Sequence, residues 1–350
     1  MPPHSAKPVL AVAGSFSIDA VLTQDGRHVV DKVGGNALWS ALGAMIAGNA
    51  PRIVTVVGND YPQDVLRALG DTGIDTSAVR RIERSHPVRV TFAHLPDGSR
   101  LQPVPQEMLQ ALPEADRAAF VDTTSMPDVL PLGAPIESDI PDAWLQEVDH
   151  WHMPLLPLQR HRCLVHRLKG GRGKLQSDCP ARSDLLGDAF SRLAVTLDDL
   201  DFFLPSTSDF DVIAPGVSVH EILFRLKAQG ARAVALKAGG DGVYIQRRGE
   251  LFHMPAHEGT VVDPTGAGDA FCGGFMTGMA ATGDMLHAAA LGSAAASFAI
   301  ATEDPLALIG VDHDEVRQRA LDLQSMARRI DAETPATQRA GAGAPAAINE

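Results

Sequence analysis

Short apolar runs of strand length alternate with stretches of helical periodicity from near residue 8 to near residue 330. That alternation is the tightest constraint on the fold, because it predicts an α/β domain built on a mainly parallel sheet. Strands are expected at Pro8–Gly14, Arg52–Val57, Val148–Met153, Lys174–Ser177, Asp201–Leu204 and Ala231–Lys237. Helices are expected at Asn36–Gly48, Pro62–Asp71, Leu158–Leu168, Val219–Gln229, Gly268–Ala281, Asp284–Ala301 and Asp314–Arg328. In the first of these, Leu38, Leu42, Met45 and Ile46 share a face with small residues between them.

Other segments stand outside this rhythm. Val21–Leu22 and His28–Val30 flank an Asp25-Gly26 hairpin signal, and Val88–Ala93 runs into Pro96-Asp97-Gly98. Together they suggest a small second sheet. Val243–Gln246 and Leu251–His253 read as a further hairpin. Residues 103–143 lack a firm period and read as a short helix, Glu107–Leu112, followed by a long loop. From Asp331 the chain is Ala, Gly, Pro and Thr with few large apolar residues, so 331–350 is expected to be a disordered tail after one domain at 8–330.

Charge narrows the partners. Thirty basic against 43 acidic side chains leave a net charge of −13, a poor basis for gripping nucleic acid or an anionic membrane surface. The apolar window Met285–Ala301 is mostly Ala and contains His287, Ser293 and Ser297, the pattern of a packed helix rather than a membrane span. Cys163, Cys179 and Cys272 form no paired motif, which points to a reducing compartment. Met1–Lys7 does not read as a secretory signal, and a cytoplasmic location is expected.

The chemistry concentrates in Val261–Phe275, where a strand end leads through a Gly-rich turn into a helix. Gly266, Ala267 and Gly268 leave backbone N–H groups free to face an anion, and the helix dipole adds positive potential there. Asp263 and Asp269 bracket the turn. One carboxylate at a helix start is ordinary, but an acid beside a phosphoryl cradle also suits a general base.

Across Asp263–Phe271 the chain resembles the PfkB/ribokinase family of carbohydrate and nucleoside kinases, whose signature D-[PT]-T-G-A-G-D-x-F it matches. Ala13-Gly14-Ser15 with Asp19, Gly34-Gly35, Val57–Asp60, Gly73–Thr76 and Lys237–Gly242 are similar to other family segments and follow in family order. The resemblance implies a ribokinase-like three-layer sandwich with a mainly parallel central sheet and a small β lid near 17–30 and 86–102. It implies an ATP-dependent kinase acting on a hydroxyl of a small sugar or related metabolite, using Mg2+ and K+. Asp269 would be the base, and Gly266, Ala267 and Gly268 the anion hole. Asp263 and Thr265 would hold the monovalent cation. Lys237, Gly239 and Gly242 would adjoin the nucleotide, while Asp19, Gly34, Gly35 and Asn36 would adjoin the acceptor. The lid would also supply a homodimer contact.

Two departures matter. Trp39 stands where many sugar kinases carry Asn, and is either a stacking face for an acceptor ring or a core residue. Ser206 and Asp209 replace the usual Asn and Glu near the phosphate and Mg2+. These departures keep a nucleoside or vitamin-alcohol kinase, and a catalytically weakened nucleotide-binding regulator, as alternatives. Gly170–Lys174 has the wrong spacing for a phosphate loop, and His150, His152, His161 and His166 have no ligand spacing for a metal.

Overall fold

Ten strands share one sheet in the computed structural model, which describes residues 7–23, 26–95 and 100–330. In chain order the strands are β1 (Leu10–Ala13), β2 (Ser17–Leu22), β3 (His28–Gly34), β4 (Arg52–Val57), β5 (Asp75–Arg81), β6 (Arg89–His94) and β7 (Arg100–Leu101). Then come β8 (His150–Met153), β9 (Lys174–Ser177), β10 (Phe202–Phe203), β11 (Ala233–Lys237), β12 (Val243–Arg247), β13 (Glu250–Met254) and β14 (Arg328–Ile330). The main sheet runs β14-β13-β12-β11-β10-β9-β8-β1-β4-β5. Pairing is parallel from β11 to β5, and β12, β13 and β14 close one edge antiparallel.

Alternation along β1 shows how both faces are covered. Leu10 and Val12 enter a core with helices Asn36–Ile46, Ala267–Thr282 and Met285–Ala299, whereas Ala11 and Ala13 enter one with helices Leu158–Leu168, Ala189–Leu197 and Val219–Ala228. The three-layer α/β sandwich expected from the sequence is present. Small residues set its closest approach. A Cβ at Gly273 would fall 1.9 Å from the Ser40 carbonyl oxygen, and one at Gly274 would fall 2.7 Å from that of Leu291. Adjacent glycines thus seat the helix that begins at the Gly-rich turn against two neighbours at once.

The second sheet runs β3-β2-β6-β7. One of its faces, bearing Ala20, Leu22 and Ala93, packs on Val104 and Phe120 with Met108, Leu109 and Leu112 beside them. Residues 103–143 are therefore not a long free loop. Their helix spans Gln106–Gln110, and Asp122 accepts the Thr91 N–H at 2.8 Å while Thr123 Oγ1 accepts that of Arg89 at 2.9 Å. A Pro- and Asp-rich segment hides its few apolar anchors from a periodicity reading.

Helices Ala189–Leu197 and Thr207–Ile213 and strand β5 were not anticipated. β5 is an edge strand with exposed Arg and Ser, so it lacks an apolar run. The last helix stops at Met326, and Arg328–Ile330 turns back to pair with β13. The expected turn at Pro96–Gly98, Asp25 of the hairpin signal and the tail from Asp331 lie outside the described residues. Among the described residues no helix is long and apolar enough to cross a membrane.

Candidate active site

Parallel strands end together, so the loops after them meet along one edge of the sheet. Asp178 follows β9, Ser206 follows β10, and Lys237 ends β11. The helix Ala267–Thr282 begins beside them. Gly266 precedes it at φ 78°, and no side chain caps its first N–H groups. That left-handed backbone suits glycine, and a side chain has no room here because a Cβ would lie 2.2 Å from the Trp39 indole.

Lys237 is the centre of the charged cluster. Its Nζ lies 2.6 Å from Asp178 Oδ2 and 3.5 Å from Cys272 Sγ, and a Cβ at Gly268 would meet it at 3.4 Å. Burial works against the ammonium, but Asp178 and then Asp209 more than offset it, so the Lys237 pKa is raised. A fixed positive charge thus adjoins the Gly266–Gly268 turn. Asp269, in the first helical turn, keeps partial solvent access. Its carboxyl is pushed up to about 8, first by burial and then by Asp178, with Lys237 opposing and Asp209 adding to the rise. A carboxylate this reluctant to ionise is a strong proton acceptor once ionised.

Ser206 and Asp209 form a capping box on helix Thr207–Ile213. Asp209 Oδ2 accepts the Ser206 N–H at 2.8 Å, and its Oδ1 accepts from Arg182 Nε at 2.9 Å. Gly239 and Gly242, at φ 55° and 91°, bound a short helical turn after β11, and a Cβ at Gly242 would fall 2.1 Å from the Met254 carbonyl oxygen.

On the other side of the turn stands the lid. Asp19 on β2 faces Lys32 on β3 in register, and a Cβ at Gly34 would fall 2.4 Å from Asp19 Oδ2. Gly35 takes φ 104° immediately before helix Asn36–Ile46. The Asn36 carboxamide is spent on the scaffold, accepting from Ser15 N at 2.9 Å and donating to the Leu155 carbonyl at 2.6 Å. Below the lid, His86 accepts the Gly58 N–H at Nδ1 (3.1 Å) and donates from Nε2 to the Phe16 carbonyl (3.0 Å). Asp60 accepts the His86 N–H at 2.6 Å and pairs with Arg89. The Val57–Asp60 segment therefore roots the lid on the main sheet.

Residues 176–307 match the pfkB family carbohydrate kinase model. The cytidine kinase of Thermococcus kodakarensis strain KOD1 is 28% identical over 277 residues, covering 77% of this chain and 87% of the relative. The Thermotoga maritima ribokinase structure superposes with a TM-score of 0.66 at 20% identity, over 89% of this chain and 99% of that one. Arabidopsis thaliana ribokinase complexed with ribose and ATP gives 0.65 at 17% identity, over 90% and 99%. Residues 176–307 thus resemble a pfkB-type carbohydrate kinase, and the likeness to the cytidine kinase runs over most of the chain. Its fold is ribokinase-like.

Within that family frame, the structure draws Asp269, the Gly266–Gly268 turn, Lys237, Ser206 and Asp209 to one sheet edge. Trp39 departs from one expectation. It is 4% exposed within the main core, and part of the indole that could have stacked on an acceptor rests on Gly266. Three site residues were missed by sequence reasoning. Asp178 and Arg182 flank a strand end and would have been signalled by an acid at the C-terminus of β9. Lys32 gave no signal, because its partner Asp263 is 231 positions away and only the lid brings them together.

Proposed function

We propose that this PfkB-like protein transfers the γ-phosphoryl group of ATP to a hydroxyl of a small sugar or nucleoside. The observation that carries the reading is Asp269 at the start of an uncapped helix, beside a Gly-rich turn with the Lys237 ammonium against it. Asp269 takes the hydroxyl proton as the oxygen attacks phosphorus, the new P–O bond forms, and the bond to the β-phosphate oxygen breaks with ADP leaving. The Gly266 and Gly268 N–H groups and Lys237 face the equatorial charge that this in-line transfer develops, while the Ala267 N–H donates to the Pro264 carbonyl at 3.3 Å. Mg2+ would neutralise phosphate oxygens, and Gly239, with nothing within 4 Å of a Cβ position, leaves backbone space for a triphosphate, whereas Gly242 is taken up by its packing on the Met254 carbonyl.

Asp209 fits a supporting role better than a direct one, since Arg182 and Ser206 already engage both of its oxygens. The likeness to a cytidine kinase over 77% of the chain supports a nucleoside as acceptor alongside sugars. Acceptor-dependent ADP release, measured with Mg2+ across sugars, nucleosides and vitamin alcohols, tests the reading. Turnover on one class is expected. ATP binding with no turnover on any acceptor would favour a nucleotide-binding regulator instead.

A further inference from the structure

The resemblance implies a free K+ on Asp263 and Thr265, yet the structure fills that position from within. Asp263 is 3% exposed, a setting where an unpaired carboxylate is costly. Its Oδ1 accepts the Thr265 N–H at 2.8 Å, and its Oδ2 faces Lys32 Nζ at 3.6 Å. Lys32 reaches it from strand β3 of the lid, across a cleft of about 380 Å³ also lined by Thr23, Arg27, His94 and Glu303.

The surrounding oxygens do not fit a desolvated monovalent cation. The Ile300 carbonyl accepts two N–H groups, from Val262 at 2.7 Å and Asp263 at 3.2 Å. In the next turn the Asp304 carbonyl accepts from Thr302 Oγ1 at 3.2 Å, and the Asp304 side chain caps Leu306 at 2.9 Å. A second positive charge at Asp263 would also meet the ammonium already there.

We infer that Lys32 is a tethered cation: its ammonium orders the Asp263–Gly268 turn in place of K+, so the turn is completed by the lid strand and not by a dissolved ion. Lys32 is thus a positioning residue acting through Asp263. Because Asp19 lies opposite Lys32 on the same face of the lid, the strand that supplies this charge is paired to the strand facing the acceptor. The inference rests on the phosphotransfer reading only in its kinetic arm.

The test compares the full chain in KCl and in choline chloride at matched ionic strength, as wild type and as Lys32→Met. Wild type is expected to melt at the same temperature in both salts. Lys32→Met is expected to melt lower in choline and to recover as K+ is titrated in. In the kinetic arm, wild-type ADP release is equal in the two salts. Lys32→Met is slower in choline by roughly tenfold, less than the ~10²–10³ loss of an anion-hole donor itself, and is partly restored by K+. A saturable K+-dependent rise in wild-type melting temperature or turnover overturns the inference, as does a Lys32→Met protein indifferent to K+. If Lys32→Met does not fold, the wild-type comparison alone decides. Melting needs no acceptor, so a failure to find kinase activity leaves that arm intact.

Discussion

The Trp39 indole lies directly against Gly266, so helix Asn36–Ile46 supports the Gly-rich turn before Asp269. Removing the ring opens a cavity next to a left-handed glycine. Trp39→Ala is expected to cost about 3–5 kcal/mol of stability, the range for a buried large-to-small change. Turnover should fall with it, while the Michaelis constant for the acceptor stays near the wild-type value. Trp39→Phe should restore part of both stability and turnover. Chemical unfolding paired with acceptor kinetics separates these effects, and a rise in acceptor KM alone would return Trp39 to the acceptor pocket.

As the proposed base, Asp269 would set the pH dependence. Its carboxyl is pushed up to about 8, so the proton-accepting form grows as pH rises. The acceptor kcat/KM is therefore expected to climb through an acid limb near that value and level off above it. Asp269→Asn should remove the limb and lower turnover by about 10² or more, with ATP affinity little changed. Asp178→Asn removes a neighbouring negative charge and should move the limb to lower pH. A limb that moves upward in Asp178→Asn would contradict the electrostatics described for this cluster.

How far the chain announces this arrangement depends on distance. The strand–helix alternation and Asp263–Phe271 are local patterns, and both the mainly parallel α/β sheet and the Gly-rich turn that opens a helix were legible from them. Lys32 with Asp263, and Trp39 with Gly266, are contacts between segments more than 200 positions apart, and no period or spacing encodes them. The 103–143 segment failed for another reason. Its anchors, Val104 and Phe120, are too sparse to make a pattern.

Gly273 offers a packing test with an internal control. A Cβ there would fall 1.9 Å from the Ser40 carbonyl and 2.6 Å from Ala44 N, so the two helices must part. Gly273→Ala is expected to lose about 1–3 kcal/mol or more. Gly70, within helix Gln63–Asp71, has nothing within 4 Å of the same position. Gly70→Ala should gain roughly 0.5–1 kcal/mol from helix propensity. Equal effects of the two substitutions on urea unfolding would refute the close helix approach.

Buried imidazoles make the fold acid-sensitive. His150, His161 and His86 are each held near 4, chiefly by burial. The folded state keeps them neutral, while the unfolded chain takes up protons near pH 6.5. Their stabilisation is complete above that pH and is lost progressively as pH falls toward 4, on the order of 3 kcal/mol for each at full effect. Urea unfolding at pH 7.5 and 5 should show the loss, and His161→Gln should flatten the slope. A free energy of unfolding that is level across this range would exclude the assignment.

Residues 104–120 back the lid sheet with apolar contacts of their own. A bare sheet of four short strands bends, whereas one glued to a second layer turns as a stiff plate. Any swing about Gly35 and the Gly58–His86 root is then a lever motion, small at the pivot and largest at the β7 rim. Stiffness supplied by Val104 and Phe120 would then govern how closely such a plate holds its position.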